Sequence, residues 1–364
     1  KPARFYLLAF FILLLGAISN SLRLSGIVPT NFLTANSLQI GSALESVLLS
    51  LADADKIIFM RKEKEKAQVD LIENQKVLIE SYARFVPEEL LSFLGKDIIT
   101  KVHLGDAVEK SMTVLFSDIR SFTTLSESMT PNENFEFINT YLKRVAPCIR
   151  KHGGYIDKFL GDGIMALFPI NPQDAILASV EMLEELNLLN KERLEKGVQR
   201  ISIGIGIHTG KQMVGVIGEE RRLEGTVISD VVNTSARLEG LTKAYASSLI
   251  ISKEVLEYKN DSLKYRLLDK VKVKGKNKSV EIYEVLNGNS DRIINLKMKT
   301  KEDFEKGIRL YQEKDLKKAL RLFKKVIKQD PKDNACELYI NRCEFYLKNG
   351  VSPDWDGVEK LDFK

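Results

Sequence analysis

A chain of 364 residues, 44% hydrophobic and 29% charged, with 22 Gly and 9 Pro, has the composition of ordinary packed protein and room for two or three domains, which excludes wholesale disorder, collagen and a disulfide scaffold. Cys148, Cys336, Cys343, His103, His152 and His208 are the only Cys and His, without CxxC or HExxH spacing, so a site here should use oxygen ligands rather than zinc. The net charge of +5 is spread along the chain rather than gathered in one arm, and nucleic acid is not implied as a partner.

Phe5 to Ile18 is an unbroken run of fourteen apolar residues. Extended to Leu24 it reaches about twenty residues, which at roughly 1.5 Å per residue matches a ~30 Å hydrocarbon core, so residues 4–24 are expected to span a membrane. A secretory signal peptide is the competing reading; against it stand the missing initial Met, the lack of a small-residue cleavage site and a second membrane-like segment. That segment, Phe32 to Leu51, carries Asn36, Gln39 and Glu45 and so cannot face lipid on every side; it reads as one helix of a bundle, with Glu45 a helix-contact polar group. Lys56, Arg61, Lys62, Lys64 and Lys66 follow directly, while the turn Ser25 to Asn31 is uncharged, so the positive-inside rule places everything C-terminal in the cytoplasm. The pair, ending GSALESVLLSLADAD before a charged helix, resembles the last two helices of the bacterial seven-helix sensor modules that precede signalling output domains. The resemblance implies that residues 1–54 are the end of a truncated, multi-pass sensor in the inner (cytoplasmic) membrane.

Residues 55–87 contain no Gly and reach Pro87 as one charged helical stretch, with Val69, Lys76 and Ala83 on one heptad position and Ile72, Ile79 and Val86 on the other. This predicts a parallel two-stranded coiled coil that pairs two copies of the chain; a solvated linker helix packed on its own domain is the alternative, since Lys76 weakens the seam. An approach segment, 88–109, follows.

From 110 to 288, β-rich runs alternate with amphipathic helices: MTVLFSD, then TPNENFEFINTYLKRVAPCIRKHG, YIDKFLGDGIMALFP, a helix from Pro172, and RISIGIGIHTG. This order predicts an α+β domain of the ferredoxin-like βαββαβ plan. Thr130, Pro131 and Glu133 give the N-cap, N1 and N3 signals of a helix start. Asp118 ends a strand-type run and is followed by Ile119-Arg120-Ser121-Phe122-Thr123, a helix opening whose free N–H groups at Phe122 and Thr123 are candidates to hold phosphate. Asp162 sits in a Gly161-Asp162-Gly163 turn between two apolar strands. Two carboxylates at one sheet edge beside a helix start suit divalent cations and a nucleotide phosphate; taken alone, the same residues also read as a turn aspartate and a helix cap.

FSDIRSFTTLSE, DKFLGDGIMALF, ISIGIGIHTGKQMVGVIG and VVNTSARLEGL, in this order, resemble the class III nucleotidyl cyclase homology domain, and Arg84-Phe85-Val86-Pro87 resembles its approach helix. The resemblance implies that Asp118 and Asp162, with the Ile119 carbonyl, hold two divalent cations, Mg²⁺ or Mn²⁺. It puts Lys158 and Thr226 on the base-reading positions in a combination that points to ATP. Asn233 and Arg237, at i, i+4 spacing on one helical face, fall on the ribose-orienting and transition-state positions. Lys274, with Lys276 near enough to leave the register open, falls on the triphosphate lysine. It also implies a head-to-tail homodimer whose sites draw Asp118 and Asp162 from one protomer and the other residues from its partner. No protein nucleophile is needed, so His208 and His152 read as packing or turn residues. Ser121 stands where Gly frequently follows the arginine in that family, and a helix N-terminus should accommodate it. The function implied is an adenylate cyclase in membrane-linked signalling; a guanylate cyclase, or a silent receptor or scaffold that keeps the fold for dimerisation, are the alternatives.

After residue 288 the chain turns into Lys-rich helix. Gly307, Ala319, Phe323 and Pro331 fall at the offsets of a single tetratricopeptide repeat, so 289–364 is expected to be a helical extension. One repeat cannot bury its own apolar face, so Leu310, Leu320, Phe323 and Val326 should pack on a further helix, on the core or on a partner chain; a structural cap and a protein-binding role both remain open.

Overall fold

The structure, a computed structural model, describes residues 2–83, 88–219, 222–273, 279–352 and 355–361, and the chain divides into two compact units, Lys1–Phe85 and Val86–Lys364.

In the first unit, α1 (Pro2–Leu24) runs through the apolar stretch, a single turn α2 (Phe32–Ala35) follows, and α3 (Ser37–Ala83) is continuous for 47 residues. Two expected segments, a second span to residue 54 and a linker helix from 55, are thus one helix, because neither Gly nor Pro interrupts the sequence between Ser42 and Ala83. Among the described residues only Ala3–Leu24 is long and apolar enough to cross a membrane; in α3 the polar side chains noted above and the charges from Asp53 onward dilute the apolar run. Small residues set the contact between α1 and α3: Ala9 and Ala52 are fully buried, and a Cβ on Gly16 would lie 2.7 Å from the Ser37 carbonyl oxygen. Tyr6 donates a 2.5 Å hydrogen bond to Asp53. Val69, Ile72 and Ile79, the expected seam, are all exposed on α3, and Val86 lies outside the described residues, as does the expected Arg84 to Pro87 approach motif.

The second unit opens with α4 (Glu88–Phe93), then β1 (Ala107–Ile119), α5 (Phe122–Glu127), α6 (Pro131–Lys151), β2 (Tyr155–Leu160), β3 (Gly163–Phe168), α7 (Pro172–Glu195) and β4 (Ile203–Glu219). These strands lie in the order β2-β3-β1-β4, all neighbours antiparallel, which is the βαββαβ arrangement expected from the sequence. The predicted start of α6 is present in full: Thr130 accepts from the Glu133 amide and Glu133 accepts from the Thr130 amide. The sheet continues beyond β4 through β5 (Arg222–Ile228), β6 (Leu249–Ser252), β7 (Tyr265–Val273), β8 (Ser279–Val285) and β9 (Glu359–Leu361), with β5 folded onto β4 and the remaining order β4-β6-β8-β7-β9.

Strand alternation gives the sheet two different faces. Leu115, Ile119, Ile164, Ala166, Ile203, Ile205 and Ile207 point to one, where α6 and α7 cover them. Met112, Val114, Met165, Leu167 and Val214 point to the other, beneath Leu90 of α4, Val227 of β5 and Val231 of α8 (Asp230–Ala244). The Ile/Gly alternation of β4 serves both. Its isoleucines fill the first core, while Gly204 and Gly206 leave room for α8 to lie on the strand backbone, since a Cβ on Gly206 would stand 2.1 Å from the Glu239 amide nitrogen.

The C-terminal region is not a separate module. A short α9 (Lys253–Leu256) follows β6, and α10 (Asp291–Gln312), α11 (Leu316–Gln329) and α12 (Asn334–Asn349) cover the sheet beside α8. Phe304, Ile308, Tyr311, Phe323, Val326 and Tyr339 share one core with Leu238 and Leu241 of α8, Ile250, Leu268, Val271 and Ile282. Gly307 lets α10 and α11 close up, as a Cβ there would meet the Phe323 ring at 2.8 Å. Arg266 of β7, fully buried, ties the layer down with bonds of 2.5 and 2.8 Å to Asp333 and 2.7 Å to Glu284.

Candidate active site

Asp118 ends β1 on the Met112–Val114–Phe116 side of the sheet, and the two-residue turn Gly161-Asp162 between β2 and β3 carries the second carboxylate to it. Gly161 takes the left-handed conformation the turn requires, with φ +70°. Gly163 admits the close approach, since a Cβ there would stand 3.3 Å from Asp118 Oδ1. The Ile119 amide donates to Asp162 Oδ2 at 3.2 Å. Partial burial of Asp118, the charge of Asp162 and a hydrogen bond between the two carboxyl groups push Asp118 up to about 7, with Glu239 adding to the effect. Two carboxyl groups this close, with Asp162 raising Asp118, form a donor set fitted to a hard divalent ion. The described residues hold no cluster of three or more His, Cys, Asp or Glu.

Lys158 reaches the same face of the sheet through a β-bulge. The β2–β3 register shifts between Ile156, paired with Ala166, and Lys158, paired with Met165. Without the shift Lys158 would follow Ile156 into the core under α6 and α7; with it, the side chain joins the Met165 face. Its ammonium donates to Thr226 Oγ1 at 3.1 Å and Glu224 at 2.8 Å, and lies 3.5 Å from Asp157. The two base-reading candidates are therefore in contact. Asp157, the bulge residue, has its carboxyl raised by burial against the opposing pull of Lys158.

Asn233 and Arg237 lie on the outward stripe of α8, Asn233 exposed and Arg237 half-buried, while Thr234, Ser235, Leu238 and Leu241 turn inward. Lys274 and Lys276 lie outside the described residues. The Phe122 ring packs against the core and stacks on Phe137 at 6.2 Å, so Phe122 has its backbone N–H, the group expected to hold phosphate, to offer a ligand beside Thr123. One expectation needs correction. Ser121 is the N-cap of α5 but takes left-handed angles, φ 54° and ψ 33°, and its side chain makes no cap hydrogen bond; the geometry is one that glycine holds without strain. His208 is bonded at 2.7 Å to Ser252 and His152 at 2.7 Å to Glu181.

Three residues escaped the sequence reading. Glu224 and Asp157 surround the Lys158 ammonium; Glu224 stands two positions before Thr226 on the same strand face, a period-2 signal that could have flagged it. Arg120 links the end of β1 to α8, paired with Glu239 at 3.8 Å and donating to Thr242 Oγ1 and, at 3.4 Å, to the Ser247 carbonyl.

A βαββαβ sheet with two facing carboxylates, a lysine–threonine contact and an arginine-bearing helix laid on its central strands is the arrangement of a nucleotidyl cyclase domain. In agreement, residues 107–287 match the family described as the adenylate and guanylate cyclase catalytic domain, and the chain belongs to that family through this region. Residues 1–56 match the family described as 7TM diverse intracellular signalling. The chain is 37% identical over 269 residues to the terminal-differentiation specific adenylate cyclase of Dictyostelium discoideum, covering 72% of this chain and 13% of that protein. It is 42% identical over 218 residues to an adenylate cyclase of Anabaena cylindrica, covering 58% and 43%. It thus spans less than half the length of either relative. Among solved structures, a bacterial light-regulated adenylyl cyclase shares the fold with a TM-score of 0.53 at 24% identity, covering 64% of this chain and 68% of that one.

Proposed function

We propose that this chain is a membrane-anchored, homodimeric adenylate cyclase that converts ATP to 3′,5′-cyclic AMP and pyrophosphate. The observation that carries the reading is the Lys158–Thr226 contact on the sheet face that also bears Asp118. Lys158 donates to a ring nitrogen of adenine, and the Thr226 hydroxyl accepts from its exocyclic amine; guanine presents the opposite pattern at these positions. Asp118, Asp162 and the Ile119 carbonyl fit two divalent cations, Mg²⁺ or Mn²⁺, which when bound acidify the 3′-hydroxyl and offset charge on the triphosphate. In the reaction the ribose 3′-oxygen forms a bond to the α-phosphorus as the bond to the bridging oxygen breaks; the hydroxyl proton departs and pyrophosphate leaves. Asn233 orients the ribose, Arg237 meets charge growing on the α-phosphate, and Lys274 and the start of α5 hold phosphate oxygens.

In this reading the two protomers sit head to tail, so that a monomer is inactive, and the exposed apolar seam of α3 pairs them as a coiled coil. The family match of residues 1–56 and the apolar α1 support a multi-pass protein of the inner membrane with its catalytic domain in the cytoplasm. The test is turnover of ATP and, separately, GTP by the verified dimer with Mg²⁺ or Mn²⁺, resolving cyclic product from hydrolysis product. Cyclic AMP that vanishes in Asp118→Asn, with the melting temperature kept, is the expected result. Cyclic GMP would overturn the base assignment, and no cyclic product would leave the fold as a silent dimerisation module.

A further inference from the structure

We infer that the C-terminal helical layer positions α8 through Arg342, acting on Tyr245 and Asp269. The inference rests on the cyclase reading above, in which α8 carries Asn233 and Arg237. The inner face of that helix is not packed on the sheet alone: Leu238, Leu241 and Tyr245 share a core with Phe304, Phe323 and Tyr339 of the C-terminal helices. Tyr245, 1% exposed, caps α8, and its hydroxyl donates to Asp269 Oδ2 on β7. Asp269 is itself 1% exposed, and a carboxylate so deep needs a cation. Arg342 of α12 supplies it, with Nη1 2.8 Å from Oδ2 and Nη2 donating to the Tyr245 hydroxyl at 3.3 Å. The guanidinium lies over the Tyr339 ring at 5.1 Å, which fixes its plane. One side chain from α12 thus joins the end of the candidate catalytic helix to β7.

Arg342 is not alone in holding the layer to the domain. The fully buried Arg266, with its bonds to Asp333 and Glu284, is a second anchor that does not touch α8. The Arg342 contact falls on the C-cap of α8, where a small shift tilts the whole helix. The groups proposed to bind the base and the cations, Lys158, Thr226, Asp118 and Asp162, come from β1, β2, β5 and the β2–β3 turn, none of which belongs to the core shared with the C-terminal helices. A displaced α8 therefore leaves the base-reading pair in place and moves Asn233 and Arg237 together, so the loss falls mainly on the Arg237 contact made as charge develops, and kcat falls by more than KM rises. Arg342 and Tyr245 are positioning residues in this scheme.

The experiment uses the full chain, with Arg342→Gln, Tyr245→Phe, the double variant and Arg342→Lys, each assayed well below its own melting temperature. Each single variant should lose about tenfold in kcat, with KM for ATP unchanged within about twofold. The double variant should be no worse than either single one, because both break the same link. Arg342→Lys keeps the charge and should recover part of the loss. Hydrogen exchange reads positioning without turnover: amides of Leu238 to Tyr245 should exchange faster in Arg342→Gln, while Ile203 to Ile207 of β4 stay protected. Wild-type kcat per folded protein, or single losses that multiply in the double variant, would overturn the inference, as would unchanged exchange along α8. Should Arg342→Gln fail to fold, Tyr245→Phe, which keeps the ring and the Arg342–Asp269 pair, decides alone. Absence of cyclic product from the wild type defeats the cyclase reading itself, and the exchange pattern then still accepts or rejects the mechanical link.

Discussion

Replacing Gly206 by alanine adds one methyl group to β4 where α8 crosses it. The new Cβ would stand 2.1 Å from the Glu239 amide nitrogen, 2.5 Å from the Ser235 carbonyl oxygen and 2.7 Å from Glu239 Cα. All three are backbone atoms, so no rotamer change relieves the clash, and restoring an ordinary 3.4 Å contact lifts the helix by about 1.3 Å. Overpacking of this kind costs about 1–3 kcal/mol, which for a unit of this size lowers the melting temperature by roughly 3–10 °C. The same lift carries Asn233 and Arg237 away from a reacting phosphate, and a misplacement near 1 Å costs on the order of 10² in rate. Gly240, on the same helix, has nothing within 4 Å of its would-be Cβ, so Gly240→Ala is the matched control. Helix propensity alone favours it by up to about 1 kcal/mol, and turnover should be kept. Thermal unfolding and cyclic AMP formation, measured on both variants well below their melting temperatures, give the answer. Wild-type melting and turnover in Gly206→Ala would refute the direct strand–helix contact, and lowered melting with full turnover would remove α8 from the chemistry.

At the start of α5, Ser121→Gly should raise stability by about 0.5–1 kcal/mol, since the left-handed angles cost a side-chain-bearing residue and the serine makes no compensating cap bond; an unchanged or lower melting temperature would count against that backbone geometry. Acid should loosen the C-terminal layer. Burial alone would raise Glu284 and Asp333, but Arg266, helped by Lys297, outweighs it and holds both carboxyl groups below their ordinary values. A depressed carboxylate stabilises the fold at any pH above its unfolded value, about 4, and that contribution is lost as pH falls through the lower folded value. Melting temperature should therefore be flat near neutrality and drop below about pH 4, and an Arg266→Met variant should lose stability near pH 7 and show a weaker acid dependence; an acid profile identical to wild type would show that the cluster does not anchor the layer.

Part of the local structure could be read directly from the chain, because its signals are local. A Thr-Pro-x-Glu cap, an aspartate near the end of an apolar strand and another in a Gly-Asp-Gly turn depend on neighbours within a few residues, and α6 starts where the cap predicts, whereas the roles of Asp118, Asp162, Asn233 and Arg237 came from the resemblance to the cyclase family. The alternation of β-rich runs and amphipathic helices likewise pointed to the βαββαβ plan, while the spatial order β2-β3-β1-β4 is set by the packed sheet. What depends on contacts between distant segments was decided by the tertiary structure. The bulge that turns Lys158 toward Thr226 is a register shift, visible only once β2 pairs with β3. Ser121 looks like a helix cap until the course of the backbone from β1 into α5 sets its angles. The C-terminal helices look like a lone repeat with an unpartnered face until Phe304, Phe323 and Tyr339 meet Leu238 and Tyr245. Sequence pattern determines which surface of each element must be buried; only the packed fold determines against what it is buried, because close packing sums over partners far apart in the chain.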